Sequence, residues 1–275
     1  MLRRLCATFA RLLALALTLH LASCGSTRVD LDAWRGEHAL PRAEAERGDL
    51  AADLARVDAL RGERRLDAAR ELALALAAER PDDGRVLFLA SRAESDALVL
   101  LADREQSHRD AAAASALDYA RRADVAGERS PEARAQLAWA LGASTHLEAM
   151  FDRSDRARQV VEVAEAVLAE KPDEPTALAT LAIVHLRLET LPWIAKVMAT
   201  GRPESSLEQA VAYARRAVEA RPSRESRLIL AKCLRAAGEE GEARSQIEAA
   251  LAADAAFPRD ELTVDELREL RDAPE

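Results

Sequence analysis

Three helix ends in this chain are written in nearly the same way. Ala-Glu-Arg-Pro stands at 78–81, Ala-Glu-Lys-Pro at 169–172 and Glu-Ala-Arg-Pro at 219–222, each followed by polar residues and a new apolar helix. Proline has no amide hydrogen and clashes with the preceding turn, so each of these is a stop. Ahead of the stops, small apolar residues recur at i, i+4 and i+7: Ala69, Ala73 and Leu76; Val160, Ala164 and Val167; Ala210, Ala214 and Ala217. That spacing marks a helix with one buried face. A helix-turn unit repeated at long period does not bury its apolar face alone; neighbouring units must stack to do it. With breaks at Gly62, Pro81, Gly127, Pro172, Pro203, Pro222 and Gly238, the pattern predicts helices near 49–61, 65–80, 83–103, 108–124, 131–151, 154–170, 174–191, 205–220, 223–237, 240–254 and 263–271. Ser130 before Pro131 is a cap followed by the favoured first helical residue. Ser205 with Glu208, and Thr263 with Glu266, have capping-box spacing. No window alternates as a strand does.

The segment 224–257 resembles a tetratricopeptide repeat, a helix-turn-helix of 34 residues. Leu230, Ala231 and Leu234 fall at its first-helix core positions, Gly238 in its turn, and Ala243, Ile247 and Ala250 on its second helix, with Ala255 where proline is usual. Alanine suits positions where two helices cross closely. Aromatics are only 3% of the chain, so Ala, Leu and Val must form the core. From Pro172 to Pro222 is 50 residues, one such unit plus an insertion near 191–206, and the stretch from Pro81 to Pro172 has room for two lengthened hairpins. The expected fold is all-α, a solenoid of about five antiparallel helical hairpins over 49–257, with a tail and short helix at 258–275.

The first 23 residues read as a sorting signal. Arg3, Arg4 and Arg11 flank an apolar run, Leu12 to Leu21, about half the roughly 20 residues that span a bilayer. Leu21-Ala22-Ser23-Cys24 matches the lipobox of bacterial lipoproteins, and this implies cleavage before Cys24 and a diacylglyceryl group on its thiol. Acyl chains contribute about 0.8 kcal/mol per buried methylene, enough in combination to hold a protein on a membrane. Gly25 stands where aspartate would retain many such proteins in the inner membrane, so the sorting rule points to the outer membrane and its periplasmic face. Residues 24–48 are the tether. Cys6 leaves with the signal, and Cys233, in an apolar helical run, reads as a small buried hydrophobe without a disulfide partner.

No catalytic chemistry is visible. His38, His108, His146 and His185 are far apart, and the chain has no Cys-x-x-Cys, phosphate loop or nucleophile elbow. The reading is a non-enzyme that needs no cofactor or metal. His185 falls at a first-helix core position and reads as a packing histidine. The net charge of −9, with Lys171, Lys196 and Lys232 the only lysines, opposes nucleic-acid binding. In tetratricopeptide domains the first helices line a groove for peptides or helices. The resemblance places Ile183, Leu186, Arg187, Leu228, Lys232 and Arg235 there, with Lys232 and Arg235 as receivers for a carboxylate. Trp193 is a further candidate anchor and Trp139 another, although packing accounts for both in a core this short of aromatics.

The insertion carries a second resemblance. Thr190-Leu191-Pro192-Trp193-Ile194-Ala195-Lys196, then Gly201-Arg202-Pro203-Glu204-Ser205-Ser206-Leu207-Glu208-Gln209-Ala210 and Tyr213-Ala214-Arg215-Arg216-Ala217, resemble the regulator-of-microtubule-dynamics family. The likeness covers about 108–235, chiefly 175–235, and implies a tetratricopeptide-like body; microtubule binding is not carried to a chain with a lipobox. The expected function is a membrane-anchored scaffold for a protein partner. The alternative is a carrier of a small apolar ligand, similar in layout to the tetratricopeptide lipoprotein partner of substrate-importing transporters. A carrier requires an enclosed apolar cavity of about 300 Å³ or more, whereas a scaffold requires an open groove over a dense core.

Overall fold

The structure, a computed structural model, describes residues 49–100, 106–149, 152–198, 201–255, 260 and 263–273. The signal at 1–23, Cys24 and the tether at 24–48 lie outside the described residues. Those described form twelve α-helices and one 3₁₀ turn: α1 (Leu50–Gly62), α2 (Leu66–Glu79), α3 (Gly84–Leu100), α4 (Gln106–Val125), α5 (Pro131–Ala143), the turn Thr145–Leu147, α6 (Arg153–Glu170), α7 (Pro175–Glu189), α8 (Trp193–Met198), α9 (Leu207–Ala220), α10 (Arg224–Ala236), α11 (Glu240–Ala252) and α12 (Thr263–Asp272).

Five hairpins pair as α1–α2, α3–α4, α5–α6, α7–α9 and α10–α11. Consecutive first helices touch in the order α1, α3, α5, α7, α10 and then α12, and each second helix lies between its own first helix and the next one. The result is the two-layered solenoid expected from the sequence. Its seams are the alanine rows: the triplets of α2, α6 and α9, together with Ala243, Ile247 and Ala250 of α11, are at most 3% exposed. With side chains so short, helix backbones approach closely, and packing rather than ring stacking fills the interior.

Local signals set most boundaries. Ser130 accepts from the Ala133 amide at 3.3 Å, with Pro131 at the first helical position. Ser223 and Ser226 close a capping box on α10. Gly238 takes the left-handed conformation (φ 81°) between α10 and α11, where a side chain would be strained. Gly84 allows close approach instead: an added Cβ would stand 2.7 Å from Glu128 Cβ.

Some boundaries moved. α5 ends at Ala143 rather than 151, because Ser144 and Thr145 turn their hydroxyls back onto the Ala140 and Leu141 carbonyls at 2.8 and 2.9 Å. The cap of α9 is Ser206, which accepts from the Gln209 amide at 3.1 Å, while Ser205 donates to Glu189. Thr263 begins α12 and donates to the Asp260 carbonyl at 2.8 Å, and Glu266 pairs with Lys232, so neither makes the expected box. α1 runs through Gly62, and the left-handed residue of the first turn is Arg64 (φ 61°).

The core also holds charge that sequence pattern did not announce. On α3, Glu94 is fully buried, gripped by Arg70 at 3.1 and 3.3 Å and by the Ser115 hydroxyl at 3.1 Å. One turn away, Gln136 of α5 donates to Ser91 and Ser95. Between them these bonds answer the buried polar groups and hold α2, α3, α4 and α5 in register.

Candidate functional site

The first helices form the inner face of the solenoid, and two adjoining cavities open from it. The first, about 350 Å³, is mixed in polarity and is lined by residues of α1, α3, α5, α7, α9 and α10. One cavity reaches from first to last hairpin because the solenoid curls: Arg64 Nη1, in the α1–α2 turn, lies 3.4 Å from the Ala255 carbonyl beyond α11. Its charged centre is on α1 and α3. Arg61 binds Asp96 at 2.7 Å, and Arg61 and Arg92 each lie 3.4 Å from Asp58. Burial, reinforced by the neighbouring Arg61 charge, lowers the Arg92 pKa to about 10.

The second cavity, about 500 Å³, is predominantly apolar and lies between α5, α6, α7 and the inserted α8. Ala157, Val160, Val184, Leu188, Leu191 and Ala195 supply its walls, and Trp139 and Ile183 divide it from the first. Both cavities are open to solvent: the open groove that a scaffold requires exists, whereas the apolar cavity, though of ligand size, is not the enclosed one that a carrier requires.

The residues expected at the groove divide into three groups. Ile183 is half-buried on the wall between the cavities, and Arg187 lines the apolar one. Arg187 is reached by water through the cavity mouth, yet the surrounding protein desolvates it and lowers its pKa. Leu186 and Leu228 serve packing. Leu186 is half-buried against the cluster of α7, α9 and α10, and Leu228 lies in the core with Ile247 and Leu267. Lys232 and Arg235 do not line either cavity: Lys232 is paired with Glu266 of α12 and Arg235 with Glu240 at 3.2 Å. The repeat alignment put the right helix in place but not the superhelical turn, which decides the side of α10 that looks inward.

Trp193 goes the other way. Packing is the expected role in a core this short of aromatics, but the residue is 73% exposed, beside Ile194 at 54% and Val197 at 69%. Leu191 and Ala195 hold this short helix onto the apolar cavity, and Lys196 ties it to Glu189 at 3.3 Å. Trp139 is half-buried and lines both cavities. His185 is a packing residue, as its position indicated: buried, stacked on Tyr213 at 5.6 Å, with burial lowering its pKa. Cys233 is buried, and its thiol is pushed up to about 12 by desolvation, so it holds no reactive thiolate. Among the described residues no group of three His, Cys, Asp or Glu side chains could hold a metal ion. Arg92 and Asp96 of the inner face were not among the expected site residues; two charges four residues apart within α3 were the available signal.

Comparisons with known proteins fit this architecture. The chain superposes on a thermophilic TPR protein of Thermus thermophilus with a TM-score of 0.57 and 19% identity, covering 81% of this chain and 98% of that one. At that identity the likeness concerns the fold. No curated protein matches the chain. The sequence model described as regulator of microtubule dynamics protein 1-3 matches residues 53–273, wider at both ends than the motifs around the insertion. Nearly the whole helical body is covered by that match, and the chain belongs to the regulator of microtubule dynamics protein 1-3 family.

Proposed function

We propose that this chain is a lipid-anchored interaction scaffold at the periplasmic face of a bacterial outer membrane, receiving a protein partner on α8 and the adjoining inner face. The observation that carries the reading is the outer side of α8. Trp193, Ile194 and Val197 stand exposed together on one helical turn. Exposed apolar clusters of this kind mark interaction sites, and tryptophan is a frequent energetic anchor. The tetratricopeptide-like fold supports the same reading, since such solenoids present extended concave surfaces. The lipobox at Leu21–Cys24 supports the anchor. Among the described residues no helix is long and apolar enough to cross a membrane, and in this reading the acyl chains on Cys24 hold the protein. The family description speaks of microtubules; the proposal takes from the family only its helical body.

The test is a crosslinking pull-down from the native envelope, comparing wild type with Trp193→Ser/Ile194→Ser/Val197→Ser. A specific protein captured by wild type and lost from the variant supports the scaffold. The variant removes exposed groups only, so its stability should stay within about 0.5 kcal/mol of wild type. The same proteins captured by both would sink the assignment of α8.

A further inference from the structure

Among the described residues, the lining of the apolar cavity holds one guanidinium that no protein group binds. Arg187 of α7 makes no hydrogen bond or ion pair among the described residues, although it lines a cavity whose surface is predominantly apolar. The neighbouring polar groups are engaged elsewhere. Arg153 donates to the Glu148 and His146 carbonyls at 3.2 and 3.1 Å, and His146 Nε2 lies 2.8 Å from Asp110. Glu225, the one acid on the lining, makes no ion pair with Arg187. Arg187 is exposed to solvent, so its guanidinium is open to charge-assisted hydrogen bonds from a carboxylate that enters the cavity.

We propose that this cavity binds a small amphipathic monocarboxylate, its apolar body against α6, α7 and α8 and its carboxylate on the Arg187 guanidinium. Three features select that class. The volume of about 500 Å³ lies within the range of small-molecule sites. The predominantly apolar walls suit an apolar body. A guanidinium matches a planar carboxylate with two parallel hydrogen bonds. Failure of this site and failure of the scaffold reading are distinguishable, for the residues varied here line the cavity while Trp193, Ile194 and Val197 are exposed.

The experiment is calorimetric titration of the purified full chain with dodecanoate below its micelle concentration, alongside dodecan-1-ol and dodecyl phosphate. Saturable one-to-one binding of dodecanoate is expected, weakened about tenfold or more in Arg187→Gln, with the alcohol bound alike by both proteins. Because Arg187 touches no partner, this variant should fold as wild type, which circular dichroism checks. Ala157→Phe fills the cavity and should abolish binding of both acid and alcohol. Absence of saturable dodecanoate binding overturns the site, as does equal affinity in Arg187→Gln. Tighter binding of dodecyl phosphate than of dodecanoate overturns the choice of headgroup.

Discussion

At Ala182, Ala214 and Ala243 the side chain is one methyl group without exposed surface, buried where α7, α9 and α11 meet in a single cluster. A longer side chain there would push helices apart, and overpacking of that kind costs roughly 1–3 kcal/mol. Glu94 meets the opposite demand, since a fully buried carboxylate is tolerable only while Arg70 and Ser115 hold it. Removing one partner strands the charge. Arg70→Leu should therefore destabilise the protein by about 3–5 kcal/mol, read from the midpoint of urea unfolding. The double variant Arg70→Leu/Glu94→Leu should recover most of that loss, because an apolar pair of similar volume leaves no charge to solvate. A loss below about 1 kcal/mol in the single variant would show that water, not Arg70, answers Glu94.

Among the elements, α12 has the most direct structural task. It sits against α10 and α11, burying Leu267 completely beside Leu228 and Ile247, while Glu266 pairs outward with Lys232. A solenoid's last hairpin exposes an apolar face unless something caps it, and α12 is that cap. Leu267→Ala should cost about 2–5 kcal/mol through lost burial and a residual cavity, measurable by thermal or urea unfolding. If stability is unchanged, α12 is not part of the cooperative unit. The inserted α8 is a different kind of element: six residues long, tied down on one side, apolar and exposed on the other. Helices so short are not stable in isolation, so its conformation depends on the cavity wall and the Glu189 ion pairs beneath it.

For the whole molecule, the decisive feature is curvature. The first turn reaches the segment after the last hairpin, closing the inner face into a cavity bordered by α1 and α10 together. Residues distant in sequence thereby share one site, and a peptide entering it would meet both ends of the solenoid. The anchor also acts at this scale, since it sets where the whole body works. In the proposed reading, Cys24→Ser should shift the protein from the membrane fraction to the soluble fraction on cell fractionation, or leave it unprocessed. Unchanged membrane association of a processed Cys24→Ser chain would overturn the lipobox assignment.

How much of this was legible in the sequence follows from which interactions are local. Helix period, proline stops, serine caps and the alanine rows depend on neighbours within a turn or two, so the chain alone determined an all-α solenoid of five hairpins with an insertion after the fourth first helix. Burial of His185 and Cys233 was readable for the same reason: repeat position dictates which side of a helix meets its partner. The candidate site was legible only in part. Ile183 and Arg187 line a cavity, whereas Leu228, Lys232 and Arg235, which the repeat resemblance points inward, are held by α11 and α12 instead. That outcome rests on the angle between successive hairpins, a sum of small packing displacements that no local pattern encodes. The same angle brings Arg64 to Ala255, gathers Arg61, Arg92 and Asp96 on one inner face, and leaves Arg187 without a partner beside an apolar cavity. The exposure of Trp193 is likewise tertiary: a tryptophan in a short apolar segment is buried or bare according to whether a neighbouring helix covers it, and among the described residues none does.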